Sequence, residues 1–139
     1  VSSAGIELRN EGANFARFCA VGGGGFVIDA GFLLLFTHVF VIGPFVARAL
    51  SILLAICATW VAHRIWTFRS DDPGKLAEWS RFAAVNGAGG ALNYSVYSAI
   101  LLALPGTMPF LALGAGSAVA LFANYLGSRL WAFRAAQRP

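Results

Sequence analysis

Four apolar runs dominate the chain. Phe18–Phe40 holds one full charge, Asp29, and is followed by Phe45–Trp66, Phe82–Leu104 and Phe110–Trp131. Each run is about 20 residues or slightly more, the length an α-helix needs to cross a bilayer core of ~30 Å. The pattern therefore predicts an all-α membrane protein of four transmembrane helices. Helix-breaking residues fall between the runs: Gly43-Pro44 separates the first pair, and Pro105-Gly106 to Pro109 the second. The longer connection, Arg69–Arg81, has Asp71-Asp72-Pro73-Gly74 as its turn. The first run is too long and too rich in glycine for a signal-peptide core, and no small-residue cleavage site follows it.

Composition agrees with lipid as the solvent. The 139 residues suit one domain, 58% of them are hydrophobic, 12% are charged, and the mean hydropathy is +0.71. Soluble domains carry about 25% charged residues. The net charge of +4 and pI near 9.7 do not mark a nucleic-acid binder, because the basic residues form no dense patch on a polar fold. Cys19 and Cys57 lie far apart inside apolar runs and read as small buried residues, neither a disulfide nor a metal site.

The basic residues change the picture by fixing an orientation. Arg9, Arg17, Arg64, Arg69, Lys75, Arg81, Arg129, Arg134 and Arg138 fall on one side of the four-helix layout, and Arg48 on the other. Positive charge at helix ends marks the cytoplasmic side, so both termini and the central loop are expected there.

The chain also repeats itself. Shifted by 64 positions, "RFCAVGGGG" from Arg17 overlays "RFAAVNGAG" from Arg81, and Asp29 lands on Asn93. Shifted by 65, "HRIWTFRS" from His63 overlays "SRLWAFRA" from Ser128, with Arg64 on Arg129 and Trp66 on Trp131. Two helices per repeat give halves of equal orientation, a parallel repeat about the membrane normal. The halves run from about 15 to 69 and from about 79 to 134, joined by a cytoplasmic linker of about 70–78. Each hairpin opens with Arg-Phe and closes with Arg-x-Trp-x-Phe-Arg. Aromatic-belt and positive-inside placement explains each box alone, but not their pairing at both ends of both hairpins. The duplication is expected to gather Arg17, Arg64, Arg81 and Arg129 around one cytoplasmic mouth. Guanidiniums at headgroup depth suit a phosphate, which they grip through bidentate hydrogen bonds.

The opening Arg-Phe-x-x-Val-Gly, a polar residue further along the helix and the closing Arg-x-Trp-x-Phe resemble the GtrA-like family from Phe15 to Arg134. The family's usual Asn before the closing arginine is His63 in the first box and Ser128 in the second, and Ala132 replaces its Thr in the second. The resemblance implies a small four-helix protein of the bacterial inner membrane, associated with moving polyprenyl-phosphate-linked sugars for cell-surface polysaccharides.

Asp29 is the most informative polar residue. It lies about 16 Å into the first helix from Phe18, near the bilayer midplane. A carboxyl group there costs about 2.5–3.5 kcal/mol on insertion scales, so it is expected to face a cavity or a partner. Gly22 and Gly25 share its face, as Asn86 and Gly89 share the face of Asn93. These glycines also fit simple close packing of helices. Thr59 and His63 in the second helix, and Ser117, Asn124 and Ser128 in the fourth, are expected to extend the polar set into a groove from mouth to midplane. Trp66 and Trp131 are placed to stack on sugar or lipid at the interface.

No phosphate-binding loop, metal-ligand cluster or pair of carboxylates fit for glycosyl transfer is present in the sequence, so neither an enzyme nor a cofactor is expected. The leading expectation is a translocase for a polyprenyl-phosphate sugar. The alternatives are a non-transporting scaffold for a membrane glycosyltransferase and, more remotely, a small drug-type exporter. Membrane lipids and further parallel copies of the chain complete the expected partners.

Overall fold

The computed structural model describes residues 3–107 and 109–137; Arg138, counted above among the cytoplasmic basic residues, lies outside them. The chain divides into two units, Val1–Asp71 and Asp72–Pro139.

The first unit is a helical hairpin. Helix α1 spans Ser3–Leu34 and runs on through a π-helical turn, Leu35–Val39. Helix α2 spans Pro44–Ala62 and likewise ends in a π-helical turn, His63–Thr67. Pro44 stands at the start of α2, where its missing N–H and fixed φ are compatible with a helix. Two stretches of this unit, Ser3–Val39 and Ala49–Thr67, are long and apolar enough to cross a membrane. Helix α1 begins well before the apolar run at Phe18: its first turns carry Glu7, Arg9, Asn10, Glu11 and Asn14.

The second unit is also a hairpin. Helix α3 spans Lys75–Ala103, and α4 spans Pro109–Gly127 with a π-helical turn at Ser128–Ala132 and a short 3₁₀ segment at Arg134–Gln137. Gly106, at φ +95°, supplies the left-handed conformation in the turn between α3 and α4. The central connection is shorter than the Arg69–Arg81 stretch of the sequence reading. Residues Lys75–Arg81 already form the first turns of α3.

The two hairpins are built on the same seam. In α2 and its π-helical turn it runs through Ala47, Ser51, Ala55, Thr59, His63 and Thr67, one residue in four. In α4 and its π-helical turn it runs through Ala112, Gly116, Ala120, Asn124, Ser128 and Ala132, each 65 positions later. Nearly all of these are buried; Thr59 and Asn124 are half-buried. Opposite them lie Phe18, Val21 and Gly25 in α1 and Phe82, Val85 and Gly89 in α3, 64 positions apart. A row of residues four apart forms one ridge of a helix. Small residues along it let two backbones approach closely, the mode of packing that works where lipid removes the hydrophobic drive between helices. Many large apolar side chains, among them Phe26, Leu53, Leu54, Leu102, Leu111 and Phe122, point outward, while Phe18, Phe82 and Phe133 are buried.

Candidate functional site

The Arg-Phe and Arg-x-Trp-x-Phe boxes meet at one end of each hairpin, and the π-helical turn is what joins them. In the first hairpin the Phe68 N–H donates to the His63 carbonyl at 2.8 Å, closing the wide turn. This leaves His63 and Thr67 facing α1, where both are buried. The His63 ring stacks on Phe18 with centroids 4.5 Å apart, and Phe68 meets Phe18 edge-on at 6.3 Å. Nδ1 of His63 and Oγ1 of Thr67 share a hydrogen bond of 3.0 Å. The second hairpin repeats the clasp: the Phe133 N–H donates to the Ser128 carbonyl at 2.8 Å, and Phe133 meets Phe82 at 5.7 Å. The pairing of the boxes therefore has a packing cause. The phenylalanine of each opening box seats against the phenylalanine of the closing box.

The arginines of the two clasps differ. Arg17 lies over the Trp66 ring, 6.0 Å from its centroid, and Arg64 over Trp60 at 5.9 Å. Such cation–π contacts are worth about 0.5–1 kcal/mol at exposed sites. Arg81, the repeat mate of Arg17, is held more firmly. Its Nε and an Nη donate to the Ala132 carbonyl at 3.3 and 3.2 Å, and the same Nη pairs with Asp72 at 3.2 Å. Ala132 ends its helical turn, so its carbonyl is one of the acceptors a helix end leaves without an intrahelical donor. A cation is favoured there by the helix dipole. Asp72 also accepts the Gly74 N–H at 2.8 Å. Arg129 sits in the π-helical turn next to buried Ser128. Trp66 and Trp131 are matched in exposure, at 48% and 47%, on the outer side of their turns.

The polar residues of the apolar runs pair within each hairpin. Ser51, fully buried, donates to Asp29 at 2.8 Å. Asn93 donates to Ser117 at 3.2 Å. The hydroxyl has moved by one position, because Gly116 occupies the place of Ser51 and lies against the Asn93 backbone. Asn86 donates to the carbonyl of Phe82 on its own helix, and Thr59 to that of Ala55. Thr59 packs against Gly25 and Asn124 against Gly89, again one contact at two places. Asn124 Oδ1 and the Ser128 hydroxyl are buried and have no hydrogen-bond partner among the described residues. Gly22 is exposed and takes no part in the seam. Cys19 and Cys57 are free thiols, each half-buried.

Two clefts accompany these features. One, of about 350 Å³, opens beside the first clasp and is lined by Asn10, Asn14, Arg17, Thr67, Phe68 and Arg69. The other, of about 170 Å³, lies along the second seam beside Val85, Gly89, Asn124 and Gly127. Ser51, Asp72, Asn10, Asn14 and Arg69 were not singled out by sequence as site residues. The partners of Ser51 and Asp72 are remote in sequence, and nothing in the apolar pattern marks the polar first turns of α1.

Hairpins with a small-residue seam, apolar outer faces and a cluster of arginine and tryptophan at one end define a membrane-helix domain. The family model described as GtrA/DPMS, transmembrane domain, matches residues 17–133, and the chain belongs to this family of membrane proteins. No curated protein matches the chain.

Proposed function

We propose that the chain is a translocase that carries polyprenyl-phosphate-linked sugars from the cytoplasmic to the outer leaflet of a bacterial inner membrane. Membership of the GtrA/DPMS transmembrane family supports the substrate class. The observation that carries the reading is the clasp of the first hairpin. It brings Arg17 of α1 and Arg64 of the π-helical turn to the same hairpin end as the half-exposed Trp66. Guanidiniums supply the charge-assisted bonds that a phosphate needs, and the indole suits a sugar or prenyl face at headgroup depth.

In this reading all four helices span the membrane, as two parallel hairpins with the termini and the central connection in the cytoplasm. The basic residues favour that orientation. The midplane pairs Asp29–Ser51 and Asn93–Ser117 give a moving headgroup polar footholds in an otherwise apolar path. No bond of the substrate is made or broken, and no cofactor or metal takes part. Outward-facing Gly22, Gly23 and Gly24 support close contact with a further, parallel copy of the chain.

The substrate class is tested by binding to the full chain in phosphatidylcholine nanodiscs. Geranyl phosphoglucose should bind about tenfold or more tighter than geranyl glucoside, as expected when one charge-assisted hydrogen bond is lost. Equal binding of the two would remove the phosphate from the account.

A further inference from the structure

Arg69 has a backbone that an arginine does not favour. Its φ is +50°, in the left-handed region that glycine enters without cost. It follows the π-helical turn at the position where a helix end usually places glycine, and the next N–H, of Ser70, closes back onto the Arg64 carbonyl at 2.8 Å. Val41 repeats this backbone after the first π-helical turn, with φ +53° and the Ile42 N–H on the Phe36 carbonyl at 2.9 Å, so the turn sets the conformation and the side chain it carries is what distinguishes Arg69. Arg69 is exposed and lines the 350 Å³ cleft together with Arg17.

Two guanidiniums make this open cleft electropositive, and no carboxylate lines it among the described residues. Asn10, Asn14 and Arg17 stand three and four residues apart, so they share one face of α1 above the clasp. The amides offer both donors and acceptors, the chemistry that sugar hydroxyls require. The volume sits at the lower end of small-molecule pockets. In the second hairpin the position of Arg17 is taken by Arg81, already tied to Asp72 and to a carbonyl.

We infer that the first hairpin alone holds the headgroup: Arg17 and Arg69 grip the phosphate of a lipid-linked sugar, Asn10 and Asn14 hydrogen-bond its hydroxyls, and the matching arginine of the second hairpin is a structural clasp. The inference rests on the proposed function and assigns that function's phosphate to one cleft.

The test is a variant series of the full chain in phosphatidylcholine nanodiscs, titrated with geranyl phosphoglucose, geranyl phosphate and inorganic phosphate. Arg69→Gly should leave thermal stability equal or raised, because glycine relieves the strained backbone, yet weaken both geranyl phosphates about tenfold or more. Arg17→Gln should do the same to binding. Asn14→Ala should weaken geranyl phosphoglucose and spare geranyl phosphate. Inorganic phosphate binding as tightly as the lipid phosphates would mark a free-anion site and overturn the lipid assignment. Wild-type binding in Arg69→Gly and Arg17→Gln would overturn the assignment to this cleft and leave the proposed function standing. Failure of the wild-type chain to bind either geranyl phosphate would overturn both.

Discussion

Gly114 and Gly116 stand two residues apart in α4, yet the same substitution should move them in opposite directions. A Cβ at Gly114 meets nothing within 4 Å, whereas one at Gly116 would lie 2.7 Å from the Asn93 backbone oxygen. Backbone cannot yield as a side chain can. Gly116→Ala should therefore destabilise the second hairpin by about 1–3 kcal/mol, the range for overpacking. Gly114→Ala should be neutral or stabilise by about 0.5–1 kcal/mol through helix propensity. Unfolding of both variants in the same detergent checks the sign of each effect. Arg81 offers a second contrast at this scale. It is 12% exposed, bonds the last carbonyl of the π-helical turn and pairs with Asp72. Arg81→Ala should cost about 1.5–3 kcal/mol, the range for hydrogen bonds to a charged group, and should loosen the end of α4 in hydrogen exchange. Unchanged stability and exchange would mean that Arg81 does not clasp that turn.

At the scale of the elements, the seam explains both what sequence reveals and what it hides. The breaks at Pro44, Gly106 and Pro109 were legible because proline and glycine act locally, and they bound α2 and α4 as expected. The match of the Phe18–Gly25 and Phe82–Gly89 segments was legible because they repeat at a fixed shift, but their buried face was not: it is Phe18, Val21 and Gly25, and Gly22, expected beside Gly25 and Asp29, is exposed. The early starts of α1 at Ser3 and of α3 at Lys75 were not. Those turns are polar, and hydropathy registers only the part of a helix that lipid or protein buries. Ser51 escaped for a different reason: its counterpart hydroxyl, Ser117, is displaced by one residue from the repeat, so the overlay pairs Ser51 with Gly116. The seam also frames a test of Asp29. Ser51 donates to its carboxylate, and an amide oxygen accepts the same bond. Asp29→Asn should therefore fold as the wild type, making α1 resemble α3 at Asn93. It should slow translocation if the carboxylate acts on the moving headgroup. Wild-type transport by Asp29→Asn would reduce Asp29 to helix packing.

For the whole molecule, the expected layout puts both termini and the central connection on the cytoplasmic side. Asp71 and Gly106 are both exposed, so single cysteines there, in a chain lacking Cys19 and Cys57, report sidedness directly. Labelling from opposite sides fits two parallel hairpins, and labelling from one side contradicts them. In nanodiscs the chain should migrate as a parallel homo-oligomer; a monodisperse monomer would leave the outward glycines without that use. If the chain instead only recruits a glycosyltransferase, it should bind that enzyme and move nothing. The most direct measurement is therefore transport by the purified chain alone, in proteoliposomes carrying a fluorescent short-chain polyprenyl phosphoglucose in both leaflets. A membrane-impermeant quencher added outside should darken the outer half at once and the remainder on a time scale that shortens with protein density. A remainder that stays bright, as in protein-free liposomes, would contradict translocation.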